Sequence, residues 1–99
     1  MNIEQLQKIG LNLNEAKIYL ALLEIGEAQA GEISKKTQIN RTTVYDSLER
    51  LIQNGLVTFV ISANKKVFQP VSPKTLLEQA IEKENTIKEI LPELDNLFN

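Results

Sequence analysis

The stretch "NRTTVYDSLERLIQNGLV", Asn40 to Val57, decides the fold. Asn40 is a strong N-cap residue, because its side chain accepts from the free amides of a first helical turn. Ile39 before the cap and Val44 at the fourth helical position make a hydrophobic staple. At 100° per residue, Val44, Leu48, Leu51 and Ile52 fall on one stripe, with Tyr45 at its edge. Thr42, Thr43, Asp46, Arg50 and Gln53 face away, and Arg41 sits at the tip. Asn54-Gly55 closes the helix. A chain of net charge −2 therefore presents Arg-Thr-Thr outward from a helix start.

Upstream, "QAGEISKKT" over 29–37 reads as a short helix with Ile33 as its one large anchor. Gln29 or Ala30 has to cap it, where Ser or Thr would do better by about 1 kcal/mol. Before it, "NEAKIYLALLEIG" reads as a helix capped by Asn14 and stapled by Leu13 and Ile18, with Glu15 in its first turn. It is apolar around most of its circumference, which makes it central to the core. A first helix carries Ile3, Leu6 and Ile9, with Asn2 and Gln5 as a capping box and Gly10 at its end.

Downstream, "LVTFVIS" and "KKVFQPV" flank Ala63-Asn64 and read as a hairpin, with Val57, Phe59 and Ile61 on one face. Lys65 and Lys66 lie near the tip, and Pro70 ends the pairing. Ser72-Pro73 opens a last long helix, with Val71 and Leu76 as its staple. Leu77, Ala80, Glu84, Ile87, Leu91, Leu94 and Phe98 repeat at alternating spacings of three and four. A parallel register through Ile90 and Leu97 widens the stripe. Nothing left in the chain covers it, and its near-heptad spacing favours pairing with a second copy over folding back on the first helix. Pro92 predicts a kink or a fresh start at 88–92.

Composition excludes several classes. Without His or Cys there is no imidazole or thiolate ligand and no common nucleophile–base pair, so no metal, no cofactor and no enzymatic activity are expected. No apolar run approaches a membrane span and no signal peptide is visible, so the default localisation is cytoplasmic. Charge is uneven. Residues 30–70 carry six bases against three acids, while the flanks carry two lysines against four acids and three against six. Local charge sets the field a partner meets. Asp46 and Arg50 read as an i,i+4 pair, and Lys35 and Lys36 as partners of Glu32.

A short helix, a tight turn and a capped helix form a helix-turn-helix, and the hairpin after it forms a wing. The fold class is mainly α with a small β-hairpin (α+β), a winged helix-turn-helix over 1–71 followed by a C-terminal dimerisation helix over 72–99. In such a unit the second helix, 40–54, enters the major groove. Thr42 and Thr43 then meet base edges, Arg41 meets guanine or phosphate, and the wing over 56–70 places Lys65 and Lys66 on the backbone or minor groove.

"NEAKIYLALLEIG", "EISKKTQINRTTVYDSLERLIQNGLV" and "KKVFQPVSP" resemble the winged-helix domain of the TrmB-like transcriptional regulators, mostly archaeal. The resemblance runs from about Leu11 to Pro73. It implies sequence-specific binding of double-stranded DNA, transcriptional regulation, and a homodimer formed through the C-terminal helix. Carried over by position, the DNA-facing residues are Gln29, Arg41, Thr42, Thr43, Tyr45, Lys65 and Lys66. The dimerisation residues are Leu77, Ala80, Ile87, Leu91, Leu94 and Phe98. Larger members continue into a sugar-binding domain, and none is expected in this chain, which stops at Asn99. Family members often carry Gly where Gln38 stands and a small hydroxyl where Gln29 stands. The alternative reading is a winged-helix protein-interaction module within a larger transcription or assembly complex.

Overall fold

The computed structural model describes residues 3–99, so the cap expected at Asn2 lies outside the described residues. The order is α1 (Ile3–Lys8), α2 (Leu13–Ile25), α3 (Ala30–Thr37), α4 (Arg41–Gln53), β1 (Val57–Ser62), β2 (Lys65–Pro70) and α5 (Lys74–Phe98). This is the expected α+β arrangement, with α2, α3 and α4 packed on one another and the hairpin laid against their open end. Tyr19, Ile18, Leu22, Ile33, Val44, Leu48, Leu51 and Leu56 are fully buried at its centre.

Helix α2 starts two residues earlier than expected. Its cap is Asn12, not Asn14. The Asn12 side chain accepts from Glu15 N–H at 2.8 Å, and the Glu15 carboxylate accepts from Asn12 N–H at 2.7 Å. Two amides that would otherwise lack partners are satisfied reciprocally. Leu13 is consequently the first helical residue and 44% exposed, so the Leu13–Ile18 staple does not form; Leu11 is buried instead.

The turn between α3 and α4 is stitched by side chains. Ser34 Oγ donates to the Ile39 carbonyl at 2.6 Å and Thr37 Oγ1 donates to the Ile33 carbonyl at 2.7 Å. Gln38 sits in the left-handed region at φ 62°, which costs a non-glycine residue about 1 kcal/mol. Its Nε2 donates to the Lys35 carbonyl at 2.9 Å. Asn40 caps α4 as expected, accepting from Thr43 N–H at 2.9 Å.

The hairpin pairs Val57 with Pro70 through Ser62 with Lys65. Ala63 and Asn64 both have positive φ, as a two-residue type I′ connection requires. Only the base of the hairpin is buried: Val57 and Phe68 lie inside, whereas Ile61, expected on the same face, is 69% exposed. The hairpin is also tied sideways. Ala28 N–H donates to the Phe68 carbonyl at 3.0 Å and Phe68 N–H donates to the Ala28 carbonyl at 2.8 Å.

Helix α5 runs unbroken through Pro92, so no fresh helix starts at 88–92. Proline removes one helical bond, to the Lys88 carbonyl, and solvent satisfies that carbonyl on an exposed helix. The N-cap of α5 is Pro73, one residue after the expected cap Ser72, whose Oγ still accepts from Lys74 N–H at 3.3 Å. The helix is anchored through its first turns. Tyr19 donates its hydroxyl to the Val71 carbonyl at 3.3 Å, Val71 N–H donates to the Leu56 carbonyl at 2.8 Å, and Gln79 donates to the Asn54 carbonyl. No residue of α5 is buried.

Burial raises the Tyr19 hydroxyl above its ordinary value of 10.0. The folded protein therefore favours neutral tyrosine: that stabilisation is complete below the unfolded value and is lost as pH rises through the folded one. Tyr19→Phe is expected to lower stability at neutral pH by about 1 kcal/mol, the worth of one hydrogen bond. It should also flatten the loss of stability above pH 10, measured by urea unfolding across that range.

Candidate nucleic-acid interface

Three segments remote in sequence converge on one open cleft: the start of α3, the first turn of α4 and the tip of the hairpin. Gln29, Ala30 and Gly31 form one wall, Arg41 and Tyr45 the second, and Asn64, Lys65, Lys66 and Phe68 the third. Three of the lining side chains are cations and none is acidic. In water a single exposed cation attracts a phosphate weakly, but several converging cations raise the local potential together.

Gln29 is the N-cap of α3 and its side chain makes no cap bond. Glu32 instead accepts from Gln29 N–H at 3.2 Å. Arg41 is exposed at the α4 start and reaches back over α3, with its guanidinium above Gly31. Tyr45 is 51% exposed, more open than an edge of the apolar stripe. Lys65 and Lys66 follow the I′ turn, and Lys66 Nζ stands 4.6 Å from the centroid of the Phe59 ring, a cation–π contact. Phe59 in turn lies against Phe68 with ring centroids 5.9 Å apart.

Thr42 and Thr43 do not line the cleft. Thr42 is exposed on the outer side of the α4 first turn, and Thr43 is half-buried with its amide held by Asn40. The seven candidate residues thus divide into five that share a cleft and two on the adjoining outer surface of α4. Sequence reasoning missed Ala30, Gly31, Asn64 and Phe68. For Gly31 a signal existed, since glycine inside a helix opposes helix propensity and calls for a reason.

Among the described residues none of the expected ion pairs, Asp46–Arg50 and Glu32 with Lys35 or Lys36, forms. Asp46 and Arg50 do not pair; they line a shallow surface depression with Glu49 and Gln53. Lys36 bridges to Glu24 of α2 at 3.1 Å, not to Glu32. An exposed i,i+4 pair is worth a few tenths of a kcal/mol, too little to fix two solvated side chains.

The six candidate dimerisation residues, Leu77, Ala80, Ile87, Leu91, Leu94 and Phe98, are all exposed. Ile81, Ile90 and Leu97 extend the same apolar surface, and Phe98 reaches 89% exposure. Among the described residues no cluster of carboxylates is arranged to hold a metal ion, and no helix is long and apolar enough to cross a membrane.

Comparison with known proteins bears on the family and the fold. The family described as "Sugar-specific transcriptional regulator TrmB" matches residues 6–74. The chain is 34% identical over 77 residues to the HTH-type sugar sensing transcriptional regulator TrmBL1 of Pyrococcus furiosus, covering 78% of this chain and 22% of that protein. It is 36% identical over 93 residues to the DNA-binding HTH-type transcriptional repressor TrmBL2 of Thermococcus kodakarensis, covering 90% of this chain and 34% of that one. A solved structure of TrmBL2, described as an archaeal chromatin protein with a novel mode of DNA binding, superposes with a TM-score of 0.83. It is 28% identical and covers 96% of this chain and 37% of that chain. The chain therefore spans between about a fifth and a third of the length of the curated relatives it matches.

Because Gln29 leaves the α3 start without a side-chain cap, Gln29→Ser is expected to raise the unfolding free energy by about 1 kcal/mol. A thermal melt reads this as a higher Tm.

Proposed function

Because the chain belongs to the TrmB family of transcriptional regulators, we propose that it binds double-stranded DNA as a homodimer and regulates transcription in the cytoplasm by occupying operator sites. The family and these relatives are regulators of transcription rather than enzymes. The observation that carries the proposal is the cleft, in which Arg41, Lys65 and Lys66 converge from two separate elements with no lining acid. Helix α4 enters the major groove by its first turn. Its middle is a poor surface for DNA, since Asp46 and Glu49 are exposed beside Arg50. Thr42 and Thr43 meet base edges, and the wing lies on the backbone with Lys65 and Lys66. The domain that does this spans 1–71.

Residues 72–99 join two copies. The α5 stripe is too long and too apolar to stay bare on a monomer without inviting aggregation. Burying each leucine or isoleucine contributes on the order of 1.5–3 kcal/mol, so a few pairs across a two-fold axis suffice to hold the dimer. Two recognition helices then read two half-sites of a roughly palindromic operator.

Fluorescence anisotropy of a labelled duplex across a salt series tests DNA binding. If the three cleft cations of each protomer contact one phosphate apiece, the slope of log affinity on log salt is about −5 for the dimer. Absence of binding at low salt would favour the protein-interaction reading. For the dimer, sedimentation at micromolar concentration is expected to give twice the 11.2 kDa chain mass. Leu94→Glu should give a single chain, because a charge in the stripe has no partner to offset its desolvation.

A further inference from the structure

Gly31 is the second residue of α3, a position where alanine serves a helix better. Its backbone does not need glycine, since its φ is not among the positive values. What the glycine leaves is room for the end of the Arg41 side chain. A Cβ placed there would meet the Arg41 guanidinium first: Cζ lies 3.4 Å away, Nε 3.6 Å, and a terminal nitrogen closer still. The missing side chain is the seat of the guanidinium. Held there, Arg41 is folded back toward the α3 start and into the cleft with Lys65 and Lys66, away from the outer face of α4 that carries Thr42.

We propose that Gly31 is a positioning residue that holds Arg41 as a contact to the DNA sugar-phosphate backbone, leaving base reading to the Thr42–Thr43 turn. This rests on the DNA-binding reading above and assigns roles within the same site. A base edge in the major groove is reached by side chains projecting outward from the recognition helix. A guanidinium turned back over the neighbouring helix meets the strand running past the helix ends instead. The space over Gly31 is taken by the guanidinium itself, and the Glu32 carboxylate already occupies Gln29 N–H at the α3 start, so the contact to phosphate falls to Arg41 rather than to the helix end.

Four proteins test the assignment: wild type, Arg41→Ala, Gly31→Ala and the double variant. Each is titrated against a labelled mixed-sequence duplex at several salt concentrations, and wild type and Arg41→Ala are each used to select preferred duplexes from a random library. Arg41→Ala is expected to weaken binding about tenfold for all sequences alike, to reduce the salt slope by about one per protomer, and to leave the selected sequence unchanged. Gly31→Ala should weaken binding similarly while its Tm holds or rises, which a purely structural role for the glycine would not allow. The double variant should bind no more weakly than Arg41→Ala, because the two residues act as one unit. A changed base preference in Arg41→Ala, or additive losses in the double variant, overturns the assignment while DNA binding stands. A wild-type chain that binds no duplex overturns both.

Discussion

Two hydrogen bonds between Ala28 and Phe68, 3.0 and 2.8 Å long, fix the wing to the segment that leads into α3. A two-stranded hairpin is marginal by itself and would swing about its base. Pinned at Phe68, with that ring buried against the core and against Phe59, the strand delivers Lys65 and Lys66 opposite the α3 start. The opposing wall is fixed just as locally. Ser34 holds the Ile39 carbonyl, Gln38 accepts a left-handed conformation, and Asn40 then starts α4 so that Arg41 lies over Gly31. The cleft is the consequence of these two anchors.

This explains how a chain of net charge −2 can present a basic surface. The acids concentrate in the terminal thirds; within the middle third Asp46 and Glu49 lie on the α4 flank outside the cleft, and Glu32, beside Arg41, is engaged by Gln29 N–H. Partners sense the field near the site, and salt screens charges farther than about 10 Å away. At the other end, α5 is tethered through Val71 and Gln79 and then extends from the body, giving a molecule 56 Å long and only 27 Å across. Its apolar stripe shares no residue with the cleft lining, so the proposed pairing of two copies and the proposed engagement of DNA use different surfaces.

Elements whose signals agree were legible in the sequence. For α4 the cap, the staple, the apolar stripe and the terminal Asn-Gly all pointed one way, and the hairpin followed from two β-branched runs around Ala63-Asn64. The start of α2 was misread because Asn12 and Asn14 both make good caps. The decisive term is the residue three positions on, which is Glu15 for Asn12 but Lys17 for Asn14. The surface pairs were misread because spacing permits an ion pair without supplying the energy to fix one, and Lys36 found Glu24 across a helix contact that no local pattern encodes. The Ala28–Phe68 bridge joins residues forty positions apart in the chain and has no sequence signature. Of the candidate site, the residue types were legible. What was not is the division between cleft and outer face, which depends on where Arg41 lies, and that is set by a glycine on another helix.

The most direct test of this account is a map of backbone amide shifts on adding a mixed-sequence DNA duplex at low salt. The account predicts perturbations at Gln29–Gly31, Arg41–Tyr45 and Asn64–Lys66, with α1 and α2 left quiet. Perturbations centred on α1 or on the apolar face of α5, with the cleft silent, would contradict it.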